Sequence, residues 1–474
     1  MQPEKSHPLP PLETLLASGG DARIMRGATG ANKYGCFSVP HPELLSYGSC
    51  TASTISKTGF ATAAALYERL EYTTYARELH RMRGELIMLC GLTTLPGLDI
   101  IFGASGTDLH LFAAQLLCAD APLRIIMAEA AETGSGVPAA LDGCHFSNCT
   151  ALGGAVTPGE PAGPAGDVEV VEVQCRLDNG DLRPATLIDS EVEMLAVDAV
   201  AKGWRVLLVL TDLSKTGLII PSLACALKLK QRFPDRLDIL VDACQFRLSK
   251  ATIRTYLEQD FLLAMTGSKF VTGPAFSAAL LVPQAMTERL RGRALPSTLS
   301  LYSARADWPE SWTAHSNLPN VANYGLLLRF EAALAELRAF HSLSETNIRA
   351  FLETFASAIQ KRLHDDPFFE PLSTQDIDRQ SLVGQGSWDR VPTIFPFLMR
   401  RESGVLLNKD EMRKIYELMM AAGCQLGQPV ACGALRLCVD MRLIAGALSR
   451  GGEAVIDGAM RVLDRAAELA STLP

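Results

Sequence analysis

The chain has 474 residues, of which 48% are hydrophobic and 20% charged. That composition excludes global disorder, and at roughly 150 residues per domain it suggests two or three domains with a substantial core. Lys and Arg number 44 against 52 Asp and Glu, a net charge of −8. This is a poor match to the basic surfaces of broad nucleic-acid binders, though it is compatible with a local basic pocket for a small anion.

Residues 1–50 are rich in Gly, Pro and turn formers, including Asn32-Lys33-Tyr34-Gly35, and read as an extended arm. Met1 to Ala17 shows no continuous apolar signal core, and no run of about 18 apolar residues offers a membrane span. The expectation is a cytoplasmic protein with neither membrane nor nucleic-acid partners. Twelve cysteines are present. Their closest pairs, Cys144/Cys149 and Cys432/Cys438, lack the CxxC spacing of a zinc site, so buried free thiols and no metal are expected.

Thr54 to Cys90 has a helical pattern, clearest in Ala63-Ala64-Ala65-Leu66-Tyr67-Glu68-Arg69-Leu70. From about residue 98, short apolar runs alternate with amphipathic ones. Predicted strands are Asp99–Phe102, Arg124–Ala128, Val168–Val173, Arg205–Leu210, Asp238–Val241, Leu262–Met265 and Ala278–Val282. Predicted helices between them are Leu109–Cys118, Ser190–Lys202, Pro221–Phe233 and Ser249–Glu258. Apolar strands separated by helices imply an α/β fold with a mostly parallel sheet covered by helices on both faces. No helix separates the last two strands, which predicts an antiparallel final strand. Residues 283–320 read as irregular. Helices are predicted over Tyr324–Phe340 and Ser344–His364, then strand Thr393–Arg400, helix Lys409–Ala422, strand Ala434–Asp440 and helix Glu453–Ser471. The organisation is therefore an arm at 1–50, a large domain at 51–290, and a linker with a smaller α/β C-terminal domain at 291–474.

Four features fall at the ends of the large domain's strands, where open parallel sheets place their ligand crevice. Gly103-Ala104-Ser105-Gly106-Thr107-Asp108 lies between a strand and a helix. It combines small residues, two hydroxyls and a helix N-terminus, which suits a phosphate. Asp242, in Val241-Asp242-Ala243-Cys244-Gln245, can pair with a protonated ring nitrogen. Lys269, in Thr266-Gly267-Ser268-Lys269-Phe270, sits at the mouth of an apolar strand, where lysine lowers its pKa readily and becomes a nucleophile. Thr211-Asp212-Leu213-Ser214-Lys215-Thr216-Gly217 forms a polar loop after a fourth strand.

In this order the set resembles the fold-type-I pyridoxal-phosphate (PLP) enzymes, most nearly the class V aminotransferase group with cysteine desulfurases and kynureninases. Ser268-Lys269-Phe270 with Gly273-Pro274 is similar to that group's Schiff-base segment. The resemblance implies PLP as cofactor, with Lys269 as the catalytic Schiff-base lysine and Asp242 facing the pyridine nitrogen. It further implies Gln245 at the phenolic oxygen or phosphate, Ser105, Gly106 and Thr107 at the phosphate, and Thr266 and Ser268 as added phosphate contacts. Two departures stand out. Met127 to Gly136 contains no aromatic residue or His to stack on the ring, leaving Glu132, Thr133 and His110 as alternatives. Cys424 and Cys432 do not reproduce the desulfurase cysteine loop and read as structural.

Arg436, an arginine within the apolar run Ala434–Val439, resembles the group's substrate-carboxylate arginine, with Arg23 and Arg26 as rivals. Asn32 and Tyr34 in the arm, and the segment Ser49–Ser53, are expected at the pocket entrance. Leu299–Arg305 lies where such enzymes reach into a neighbouring subunit, which implies a homodimer. The implied activity is that of an aminotransferase on an amino-acid-like substrate. A PLP-dependent lyase or carbon-skeleton replacement enzyme, or a non-catalytic scaffold for a phosphate-bearing ligand, stand as alternatives.

Overall fold

Runs such as Arg205-Val206-Leu207-Leu208-Val209-Leu210 lack the apolar–polar alternation of a half-solvated strand, and they form the interior of a sheet buried on both faces. The computed structural model describes residues 9–118, 122–163, 166–177 and 180–472. Its strands are β1 (Leu45–Ser46), β2 (Asp99–Gly103), β3 (Leu123–Ala128), β4 (Val168–Val173), β5 (Arg205–Asp212), β6 (Ile219–Ile220), β7 (Leu237–Ala243), β8 (Leu262–Thr266), β9 (Ala278–Val282), β10 (Phe369–Pro371), β11 (Ile394–Met399), β12 (Cys424–Gln425) and β13 (Leu435–Cys438).

The large sheet runs β2-β9-β8-β7-β5-β3-β4, with the short β6 beside β5. The pairs β4–β3, β3–β5, β5–β7 and β7–β8 are parallel, and β9 enters antiparallel to both neighbours. Successive side chains serve different cores: Val206, Leu208 and Leu210 pack in one, Leu207 and Val209 in the other. This is the period-two signature of a strand covered on both sides. The edge strand β4 (Val-Glu-Val-Val-Glu-Val) is the exception. Its exposed carboxylates blunt the edge, and Glu169 accepts a 2.6 Å hydrogen bond from Arg124 Nε.

Helix starts follow their capping residues. The side chains of Ser56, Thr74, Ser105, Ser222 and Ser249 each accept from a backbone N–H in the first turn that follows. Several helices were not predicted, among them Leu12–Leu16, Val137–Leu141 and Thr313–Asn317, and two longer ones stand out. Gln284–Leu290 lies inside the stretch read as irregular, and Met441–Arg450 directly follows β13. The second has a legible start, since Asp440 Oδ1 accepts from Leu443 N at 3.0 Å.

The antiparallel strands β10-β11-β13 form a separate small sheet, packed with Glu345–Asp365, Met441–Arg450 and Gly452–Ser471. The arm is tied to both halves of the molecule. β1 pairs parallel with β12, and Tyr47 donates from its hydroxyl to Val455 O at 2.5 Å. The buried Arg329, on the helix Tyr324–His341, donates to the carbonyls of Leu16, Ser18, Gly19 and Phe276. That clamp sets the path of the residues leading to Arg23. Among the described residues no disulfide forms, seven of the twelve cysteines are buried, and no helix is long and apolar enough to cross a membrane.

Candidate active site

The loops after β2, β5, β7 and β8 converge with the arm and the turn before β13 on one cavity of about 570 Å³. It lies at the carboxyl ends of the parallel strands, as open α/β sheets dictate. Ser105, Gly106, Thr107, Asp242, Gln245, Thr266, Ser268, Lys269, Arg436 and Tyr34 all line it. Asn32 does not. Its side-chain oxygen accepts from Tyr34 N and Cys36 N, so it shapes the turn that presents Lys33 and Tyr34 instead.

At one end, Ser105 caps the helix Gly106–Leu117 in a reciprocal box with Asp108, and Ser105 N donates to Asp108 Oδ2 at 2.8 Å. Burial pushes the Asp108 carboxyl up to about 7 against its hydrogen bonds from Ser105. Arg23 arrives from the arm, paired with Asp21 at 2.5 Å, and its Nη2 donates to Ser105 Oγ at 3.3 Å and Thr107 Oγ1 at 3.4 Å. Arg23 thus meets the Ser105–Thr107 turn. Arg26 is exposed and outside the lining. A side chain on Gly106 would bring its Cβ to 2.4 Å from Cys244 Sγ. Gly106→Val is therefore expected to push the turn away from β7 and to weaken inorganic phosphate binding about tenfold, measurable by titration calorimetry.

At the floor, Asp242 Oδ1 accepts from Cys244 N at 3.1 Å, and Oδ2 has His110 Nε2 at 3.5 Å. His110 Nδ1 donates to Gly106 O at 2.7 Å, which turns Nε2 toward the carboxylate. Burial alone would raise the Asp242 pKa. The His110 charge and hydrogen bond, a hydrogen bond from the Cys244 thiol and the Lys269 charge outweigh it and hold the carboxyl well below its usual range. Burial likewise works against the imidazolium, but Asp242 raises His110 above its ordinary value. The floor is thus a strongly acidic carboxylate that lines the cavity. Beside it, the buried Thr211 hydroxyl has no hydrogen-bond partner among the described residues.

Lys269 is half-buried at the cavity wall. Opposite, Arg436 donates from Nη2 to Thr51 Oγ1 at 3.1 Å and to Gln428 O at 2.5 Å, and from Nη1 to Lys215 O at 3.2 Å, while its Nε has no partner among the described residues. Gln245 Nε2 donates to Cys50 O at 3.0 Å, and Thr266 Oγ1 to Cys244 O at 2.6 Å. Of the three ring-cover alternatives, Glu132 is committed to Arg176, Ser214 and Thr216, and His110 to Gly106 and Asp242. Thr133, which also lines the cavity, makes only a long 3.4 Å bond to Glu129 O.

Cys424 and Cys432 lie outside the lining, whereas Cys50 and Cys244 belong to it, as does Lys215. The Thr211–Gly217 loop, which reads as a polar loop after a strand, thus contributes Lys215 to the cavity, and its place at a strand end was the signal for it.

No protein-family model matches the chain, and no curated protein does. Solved structures do. A cysteine desulfurase from Escherichia coli is 15% identical with a TM-score of 0.56, over 90% of this chain and 96% of that one. The cystine C–S lyase C-DES, solved with its product cysteine persulfide, is 14% identical with a TM-score of 0.59, over 90% and 98%. Mouse CSAD is 16% identical with a TM-score of 0.53, over 92% and 85%. A variant of C-DES was solved with glycine covalently linked to its PLP cofactor. The chain has the α/β fold of these PLP-dependent, fold-type-I enzymes, with its large, mostly parallel sheet and small antiparallel one.

Proposed function

We propose that this protein is a PLP-dependent enzyme acting on an amino acid or related amine, with class V aminotransferase chemistry as the first reading. The observation that carries it is the meeting of the Ser105–Thr107 turn, Asp242 and Lys269 in one cavity of this fold. The residues suit the cofactor. The capped helix N-terminus with Ser105, Thr107 and Arg23 makes a phosphate seat. The Asp242 carboxylate suits a protonated ring nitrogen, and the Thr211 hydroxyl lacks a partner among the described residues.

Bound PLP supplies an electron-accepting ring, and the protein supplies orientation and charge. Lys269 would hold the cofactor through its amine and, once released, carry a proton to and from the substrate α-carbon. Asp242, kept ionised by His110, would hold the proton on the ring nitrogen. Gln245, Thr266 and Ser268 would orient the ring and phosphate, and Arg436 the substrate carboxylate. A lyase or replacement reaction is the second reading, supported by the desulfurase and C–S lyase among the similar structures.

Borohydride reduction of the PLP-treated protein, followed by peptide mass spectrometry, is expected to place a pyridoxyl group on Lys269. A pyridoxyl group elsewhere, or none, leaves only the non-catalytic scaffold. A strict requirement for a 2-oxo acid acceptor marks transamination. Release of a keto acid without an acceptor marks the lyase.

A further inference from the structure

The cavity carries more positive charge than a cofactor and one carboxylate would use. Its lining holds two acids, Asp242 and Glu132, and both are already engaged, with His110 and Arg176 respectively. Arg23 is matched by Asp21. Lys33, Lys215, Lys269 and Arg436 also line it, and among the described residues none of the four has a carboxylate within ion-pair distance. On the reading above, the phosphate takes the Ser105–Thr107 end, Lys269 is used in holding the cofactor, and Arg436 takes one carboxylate. Lys215 and Lys33 remain.

Lys215 is the better placed of the two. Its backbone N donates to Glu132 O at 2.8 Å, and its Nζ donates to Ala130 O at 3.0 Å and Ala131 O at 3.3 Å. An ammonium has three protons, so one is left for the cavity. Burial and the charges of Arg436 and Lys269, only partly offset by Glu132, lower its pKa to about 8. Two loop carbonyls could be satisfied by a neutral amide side chain. A half-buried ammonium beside two more cations is unfavourable unless an anion completes it. Lys33 is exposed at the mouth, positioned by its carbonyl, which accepts from Gln428 Nε2 at 2.9 Å.

We propose that Lys215, with Lys33 at the mouth, reads a second anionic group on the substrate, so that the site takes amino acids with an acidic side chain in preference to apolar ones. This rests on the PLP reading of the same cavity. The test therefore uses protein already shown to carry pyridoxyl on Lys269 after reduction of a sample aliquot. Absence of that label refutes the functional reading itself, before any probe is added.

Succinate, glutarate and butyrate, none of which has an amine to react, are titrated calorimetrically into the unreduced holoenzyme, whose phosphate seat is filled. The expected result is that the better dicarboxylate binds about tenfold or more tightly than butyrate. Lys215→Gln, which can still donate to the loop carbonyls but carries no charge, should bring that ratio to about threefold or less. Lys215→Met should do the same. Equal binding of mono- and dicarboxylates by the wild type overturns the proposal. So does an unchanged ratio in Lys215→Gln, or an equal loss of both probes, which would mark Lys215 as a loop pin.

Discussion

Lys269→Ala is expected to abolish the near-visible absorption band that the wild-type protein gains on addition of PLP. Turnover should fall by about 10²–10⁴-fold from the lost proton transfer alone. The variant should remain folded. Lys269 is in no ion pair among the described residues, and its charge adds to those of Lys215 and Arg436 around one cavity. Removing it relieves that repulsion but gives up its attraction to Asp242, so the thermal unfolding midpoint of the cofactor-free protein should change little. Lys269→Arg should not restore the band, because a guanidinium stays protonated and cannot act as the nucleophile. Absorption spectroscopy and thermal melts separate the outcomes. A retained band in Lys269→Ala would place the covalent attachment elsewhere.

Arg379→Ala is expected to be the most destabilising single change, lowering stability by about 3–5 kcal/mol. Arg379 and Asp212 are fully buried, and the arginine bridges Asp212 at the end of β5 to Asp389, which precedes β11. Arg379 Nε donates to Asp212 Oδ2 at 3.0 Å, and Tyr256 donates to the same oxygen at 2.6 Å. Asp389 Oδ2 accepts from Ser249 N at 2.7 Å and Thr252 Oγ1 at 2.6 Å. Truncating the arginine strands two buried carboxylates. Adding Asp212→Asn should recover part of the loss, because the neutral amide still accepts from Tyr256 without a charge to compensate. Urea unfolding followed by far-ultraviolet circular dichroism checks both. A loss under about 1 kcal/mol would mean that water reaches the pair. The network also matters to the cavity, since Thr211, next to Asp212, lines it.

The large sheet was legible because its strands are short, apolar and set apart by helices with polar caps. Val168–Val173 and Ala278–Val282 match to the residue. The antiparallel entry of β9 followed from a connection that holds no helix. The helices Gln284–Leu290 and Met441–Arg450 were not legible. Each is short and begins immediately after a strand, so its apolar residues blend into a run already assigned. Ser105, Asp242 and Lys269 were visible because each lies just after a predicted strand, and one side of a sheet gathers all such ends. Asn32 was misplaced. Its amide closes its own turn, a local contact that composition does not distinguish from a side chain facing a ligand.

What the sequence determined by itself was the layered sheet and the identity of the residues at its strand ends, because period, apolarity and capping are local properties of the chain. Only the tertiary structure decided which partners those residues meet. Arg23 reaches the Ser105–Thr107 turn because Arg329 clamps the arm, His110 turns toward Asp242 because its other nitrogen is held by Gly106, and Lys215 stands beside Arg436 because β5 ends next to the turn that precedes β13. Each of these pairings joins segments far apart in the chain or depends on side-chain direction. Charge and burial at such a meeting are set by packing, and no local pattern encodes them.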